Sequence, residues 1–229
     1  MNKYLLNLRQ AFKDMFSFTD NFLSLKKIIR MKKLLIAAFI SSTLFTYAQH
    51  TLPAASPRQT VEQQFSTTKI SVDYGRPGVK GRKIFGDLVP YNKVWRAGAN
   101  GATKITFGQA VNFGGKTVPA GSYGLFVIPA EKEWKVILNK DAQQWGAYAY
   151  DEKLNVTDIT VPVQKLSEKQ EWFGIELNPV DDNAVDMVVK WDQTKVTVPV
   201  KTANPETVNK VVEKLKEIRQ IERDAAAKK

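Results

Sequence analysis

Lys69-Ile70-Ser71-Val72-Asp73-Tyr74 alternates polar and apolar side chains without a break, which puts Ile70, Val72 and Tyr74 on one face of an extended strand. The same short period recurs downstream. Residues 103–107, 110–113 and 116–118 are strand-like, and Gly114-Gly115 between the last two supplies the positive φ angles of a two-residue hairpin. Residues 121–128 end at Pro129 and residues 133–138 at Asn139. Further strands are predicted over 159–163, 171–177, 185–191 and 195–200, with a tight turn at Asp192-Gln193-Thr194 between the last pair. Asp181-Asp182-Asn183 has ordinary turn composition. About ten short strands at this spacing predict an all-β domain over residues 58–203, either an antiparallel β-sandwich or an open barrel. Pattern alone does not choose between the two.

The pattern changes at residue 204. Asn204-Pro205-Glu206 opens a helix with Asn as N-cap, Pro at the first helical position and an acid in the first turn. Val208, Val211, Val212, Leu215, Ile218 and Ile221 then form one apolar stripe, opposite Lys210, Lys214, Lys216, Glu217 and Arg223. The stripe is expected to pack on the sandwich; a dimer seam is the alternative, and the chain is expected to be a monomer or weak dimer.

Upstream of the strands, Met31-Lys32-Lys33, the apolar run 34–45 and Thr46-Tyr47-Ala48 read as the basic start, apolar middle and cleavage site of a signal peptide over residues 31–48. Cleavage after Ala48 leaves Gln49 first. The apolar run is well short of the ~20 residues that cross a bilayer as a helix, so no stable membrane anchor is expected. Lipoprotein anchoring requires a cysteine after the cleavage site, and the chain has none. The predicted location is periplasmic or secreted. Residues 1–30 precede this signal; they are either an upstream mis-start or a long amphipathic leader, with Leu5, Phe12, Phe16 and Phe22 set among Lys and Arg. Residues 49–57 read as an extended lead-in.

Composition narrows the chemistry. Residues 1–48 hold 8 of the 34 Lys and Arg and 2 of the 23 Asp and Glu, which leaves 26 basic and 21 acidic residues, net +5. That balance gives no reason to invoke nucleic acid. The absence of Cys removes thiol catalysis and thiolate metal sites, and the only histidine, His50, lies in the lead-in. A Ser-His-Asp triad, a histidine zinc site or a histidine base inside the fold is thereby excluded, and neither cofactor nor metal is expected.

Three long motifs occur in order: Tyr74-Gly75-Arg76-Pro77-Gly78-Val79-Lys80-Gly81-Arg82-Lys83-Ile84-Phe85-Gly86, then Leu88-Val89-Pro90-Tyr91-Asn92-Lys93-Val94-Trp95-Arg96-Ala97-Gly98-Ala99-Asn100, then Pro119-Ala120-Gly121-Ser122-Tyr123. With Asn139-Lys140 and Trp145-Gly146 they resemble the exported proteins of the domain of unknown function 2911, found mainly in Bacteroidetes, over residues 56–200. The resemblance implies a Gram-negative periplasmic setting. It brings no substrate, cofactor or catalytic residue.

Two stretches carry candidate sites. From Arg76 to Lys104 seven basic residues (Arg76, Lys80, Arg82, Lys83, Lys93, Arg96, Lys104) accompany a single acid, Asp87, among five glycines, with Gly75 just before them. Glycines let backbone N–H groups approach a ligand and arginines pair with anions, so the segment suits an anion-binding loop. The plain structural alternative is a solvated loop pinned by Ile84, Phe85, Leu88, Val94 and Trp95, its arginines bonded to loop carbonyls. The second stretch sets Trp145, Tyr148 and Tyr150 after Asn139-Lys140-Asp141, aromatic faces beside polar groups on which a sugar ring could stack, or rings that cap the core. The ligand-binding candidates are Arg76, Lys80, Arg82, Arg96, Asn100, Lys140, Trp145 and Tyr150. The preferred function is a non-catalytic binding module for an anionic or glycan ligand. The alternatives are an envelope protein–protein interaction module and a hydrolase using carboxylates such as Glu131, Glu133, Asp151, Glu152, Asp181 or Asp182.

Overall fold

The computed structural model describes residues 52–227, together with Arg30 and Lys32. The chain divides into a unit of residues 1–53 and a unit of residues 54–229, and the second carries the fold. The signal segment 31–48, the cleavage point Ala48-Gln49, most of residues 1–30, and His50 lie outside the described residues.

Among the described residues ten strands form two antiparallel sheets. The first has the order β1 (Arg58–Phe65), β2 (Thr68–Gly75), β3 (Thr103–Phe107), β6 (Gly121–Pro129), β7 (Glu133–Asn139), β8 (Asn155–Pro162). The second has the order β5 (Lys116–Val118), β4 (Val111–Phe113), β10 (Ala184–Thr202), β9 (Gln164–Asp181). The fold is a sandwich and not a closed barrel. Ile70, Val72 and Tyr74 are buried on the inner face of β2, as their alternation requires. Gly114 and Gly115 take φ of 60° and 81° and join β4 to β5 as a tight hairpin.

The expected turn at Asp192-Gln193-Thr194 is absent. Residues 184–202 form one strand, paired with β9 over residues 184–195 and with β4 at Lys201 and Thr202. Besides a shift at Ala184/Val185, the register slips twice around Asp192, between Lys190 and Asp192 and again between Asp192 and Thr194, and Asp192 takes a φ of 52°. The turn-like composition there belongs to a bulge that bends a continuous strand. Asp181 does make the neighbouring reversal, its Oδ1 accepting the Asn183 N–H at 2.7 Å.

The long β2–β3 connection, residues 76–102, enters the sandwich. Val79, Ile84, Val89, Trp95 and Ala97 are buried, whereas Leu88 is exposed and Val94 lies in a separate small cluster. Trp95 stacks on Trp191 at 5.9 Å and 16° and meets Trp134 and Phe173 edge-on at 6.0 and 5.3 Å. The aromatic centre of the core thus joins both sheets and the connection.

Helix α1 (Pro205–Ala227) begins where expected, the Asn204 carbonyl accepting the Val208 N–H at 3.1 Å. The expected packing of its stripe is not found: Val211, Leu215, Ile218 and Ile221 are exposed, and only Val208 and Val212 are half-buried, beside the β9–β10 turn. The sandwich fills its interior from its own strands and the 76–102 connection, so no inner face is left for the helix to cover. Among the described residues no helix is long and apolar enough to cross a membrane.

Candidate functional site

Strand alternation gives the six-stranded sheet an outer as well as an inner face. Leu125, Val127, Val136 and Leu138 point into the main core, while Phe126 and Ile137 join Ala102 in a second cluster on the opposite side, with Val94, Ile128, Ala147 and Tyr150 packed against it. The segment following β7 forms the roof of this cluster. Its root is Asn139, fully buried, whose Nδ2 donates to the Asp151 carbonyl at 2.9 Å and to Asn155 Oδ1 at 2.8 Å, while its Oδ1 accepts the Asp141 N–H at 2.9 Å. An amide side chain with all these bonds made holds both ends of the 140–154 segment together.

Two connections distant in sequence meet on this roof. The Ala102 N–H donates to the Gln144 carbonyl at 3.0 Å, the Gly146 N–H donates to the Asn100 carbonyl at 3.1 Å, and Gly101 pairs with Trp145 between them. Trp145 therefore has a fixed backbone and a free ring, 68% exposed, and Tyr148 is 90% exposed. They are the two most exposed aromatic side chains among the described residues.

Arg96 lies where the connections converge. Trp95 and Val127 exchange backbone hydrogen bonds at 2.7 and 2.8 Å, and with Trp95 turned into the core, alternation sends Arg96 to the outer face. Its guanidinium is half-buried, its Nε is out of reach of solvent and without an acceptor, and among the described residues it forms no ion pair. Burial pushes its pKa below the ordinary arginine value, and the neighbouring Tyr148 opposes the shift. Ala97, buried, follows in the left-handed region at φ 50°, held by the Thr103 hydroxyl, which donates to the Ala97 carbonyl at 2.7 Å. Such strain at a non-glycine residue costs about 1–3 kcal/mol and persists only where the surroundings fix it.

The eight sequence-predicted residues separate into groups. Arg76, Lys80 and Arg82 serve the edge of β9 or their own turn. Arg76 Nε donates to the Phe173 carbonyl at 3.1 Å, the Lys80 N–H to Glu171 Oε1 at 2.8 Å, and Arg82 to the Gly78 and Val79 carbonyls at 2.6 and 3.1 Å. These three follow the plain structural reading, in which arginines satisfy loop carbonyls and an edge strand is covered. Arg96, Asn100, Trp145 and Tyr150 belong to the outer face. Tyr150 is structural there, its ring against Phe126 at 5.1 Å and its hydroxyl donating to Asn155 Oδ1 at 3.1 Å. Asn100 takes a φ of 62° and donates from Nδ2 to the Ser56 carbonyl at 3.4 Å. Lys140 is exposed at the root of the roof, fixed only by its N–H to the Leu154 carbonyl at 2.9 Å.

Sequence reading did not single out Gln144. Its Nε2 donates to Asp141 Oδ2 at 3.3 Å, which fixes the amide's orientation because a carboxylate only accepts, and its Oε1 is buried without a donor. With Arg58, Gly101, Ala102, Lys104 and Gln143 it lines a pocket of about 200 Å³ beside the Gly101–Trp145 pair. A larger groove of about 690 Å³ lies between the start of α1 and the β9–β10 turn, but the amine on its wall, Lys216, is already held by Glu213 at 2.8 Å. Of the candidate acids, Asp151 caps a single 3-10 turn, accepting the Lys153 N–H at 2.9 Å, and Asp181 makes the turn described above. Among the described residues no three of His, Cys, Asp and Glu come together as a metal site.

Residues 56–200 match the family described as Protein of unknown function (DUF2911). No curated protein and no solved structure matches the chain.

Proposed function

We propose that this chain, which belongs to the DUF2911 family, works in the cell envelope as a non-catalytic binding module for an anionic or glycan ligand. The observation that carries the reading is the Arg96 guanidinium, half-buried near the exposed Tyr148 and without a counter-ion among the described residues. A buried donor with no acceptor costs about 1–3 kcal/mol, more when charged, so the site gains when an anion arrives. Trp145 and Tyr148 offer apolar faces with polar neighbours, suited to a ligand that has both characters.

The test is a thermal-shift comparison of wild type, Arg96→Gln and Trp145→Ala against uronate, sulfated and phosphorylated sugars at low salt. Because the Arg96 side chain makes no hydrogen bond among the described residues, Arg96→Gln should melt within about 0.5 kcal/mol of wild type or slightly above it. It should also lose the stabilisation that a bound anion confers, about 2.7 kcal/mol at a hundredfold excess over Kd. A strongly destabilised Arg96→Gln, with no sugar shifting the wild type, would remove the support for the site.

A second reading, an envelope interaction module, is favoured by α1, whose exposed Val211, Leu215, Ile218 and Ile221 make an apolar stripe beyond the sandwich. Leu215→Glu with Ile218→Glu should leave the melting of the domain within about 0.5 kcal/mol of wild type, since neither side chain is buried. Loss of sandwich stability in that variant, measured by urea titration, would mean that the stripe packs on the fold.

A further inference from the structure

The outer-face site leaves two buried polar atoms without partners, and they are of opposite kind. Arg96 Nε is a charged donor without an acceptor, and Gln144 Oε1 is an acceptor without a donor. The antiparallel pairing of residues 100–102 with 144–146 places Gln144 on that pairing, and Arg96 is tied to its base, the Thr103 N–H donating to the Arg96 carbonyl at 3.3 Å. A ligand that completes both must carry an anion and a hydroxyl. Anions without an O–H, such as chloride or sulfate, satisfy only the first requirement, and neutral sugars only the second.

The charge count narrows the anion. Arg58 is already paired with Asp73 at 2.7 Å, Arg76 is bonded to a backbone carbonyl through Nε and Arg82 through Nε and Nη2, so among the described residues Arg96 is the guanidinium of the basic segment with no bond made. A single guanidinium matches a single carboxylate in charge and in its two-oxygen geometry. A phosphate monoester brings nearly two negative charges to one cation, and a tetrahedral sulfate has a third oxygen the fork does not meet. Lys104, on the pocket wall, adds a point charge without fixing a geometry. The exposed rings of Trp145 and Tyr148 then suit the C–H face of a pyranose.

We infer that the ligand is a sugar acid, a polyhydroxylated ring bearing one carboxylate of the hexuronate type, with the carboxylate on Arg96, a hydroxyl on Gln144 and the ring face on Trp145. The inference rests on the binding-module reading above. Neither orphan atom touches solvent in the free protein, so engaging them takes a local displacement of the side chains that cover them.

The experiment is calorimetric titration of the whole purified protein with four probes: trigalacturonate, its methyl ester, a sulfated trisaccharide of neutral sugars, and inorganic phosphate. Trigalacturonate should bind, with its affinity reduced at least tenfold by esterification, by Arg96→Gln and by Arg96→Lys, and severalfold by Trp145→Ala. Arg96→Lys keeps the charge and loses the fork, so its loss distinguishes bidentate pairing from simple attraction. Equal binding of the ester, or Arg96-dependent binding of the sulfated probe or phosphate in place of the uronate, would overturn the sugar-acid assignment and leave the binding module standing. Failure of all four probes to bind in an Arg96-dependent way would overturn both.

Discussion

Trp95→Ala should cost the domain about 3–5 kcal/mol, the usual range for removing a buried large aromatic residue, and should abolish ligand binding with it. Most of the ring's neighbours belong to the sheets: Trp191 stacked at 5.9 Å, and Trp134 and Phe173 edge-on at 6.0 and 5.3 Å. Trp95 itself belongs to the β2–β3 connection, and its Nε1 donates to the Gly98 carbonyl at 3.1 Å. Truncation opens a cavity among these three rings and that of Phe85, 6.1 Å away, and frees the segment that aims Arg96. Small domains are stable by only about 5–15 kcal/mol, so urea unfolding should show a large fall in midpoint. Trp145→Ala, at an exposed ring, should stay within about 0.5 kcal/mol of wild type. A Trp95→Ala loss below about 1.5 kcal/mol would mean that the connection is not anchored through this ring.

The contrast between the buried Trp95 and the exposed Trp145 is one that no local pattern encodes. The alternation of 69–74, the Gly114-Gly115 hairpin and the Asn204-Pro205 helix start are local signals, and each forms the element it predicts. Sandwich against barrel was decided by long-range pairing, which no local pattern encodes. The stripe of α1 met the periodicity of a buried face and is exposed, because periodicity reports which residues share a face and not whether anything lies opposite.

The candidate site was legible in part for a similar reason. The basic residues of 76–104 are neighbours in sequence, but the buried anchors Val79, Ile84 and Trp95 divide the segment between the β9 edge and the outer face. The meeting of residues 100–102 with 144–146 joins stretches with no shared period, so the basic and aromatic candidates gave no sign of converging. One local clue was present: Gly124 interrupts an otherwise apolar strand, and a glycine there marks a place where another backbone comes close.

Gly124→Ala turns that clue into a measurement. Gly124 sits in β6 between Lys104 of β3 and Asn139 of β7, at a position where alanine is no worse a strand former. Without the roof, the added methyl group should be neutral or slightly stabilising, because it also restricts the unfolded chain. With the roof in place, a Cβ at Gly124 would overlap the Asp141 carbonyl oxygen and come within 2.8 Å of the Phe126 ring. The Asp141 backbone is held by its N–H to Asn139 Oδ1, so neither side can yield without breaking the root of the 140–154 segment. The expected cost is about 2–3 kcal/mol, of the order found when a methyl group is forced into close packing. Hydrogen exchange should localise it: the Ala102 and Gly146 amides, which bond across to Gln144 and Asn100, should lose protection, while those of Trp95 and Val127 should keep theirs. Because Arg96 remains anchored through Trp95, sugar binding should fall through loss of Trp145 and Gln144 alone. An alanine variant with native melting and undiminished protection at Ala102 and Gly146 would show that the roof does not rest on the sheet, and the convergence of Arg96 with Trp145 would fail with it.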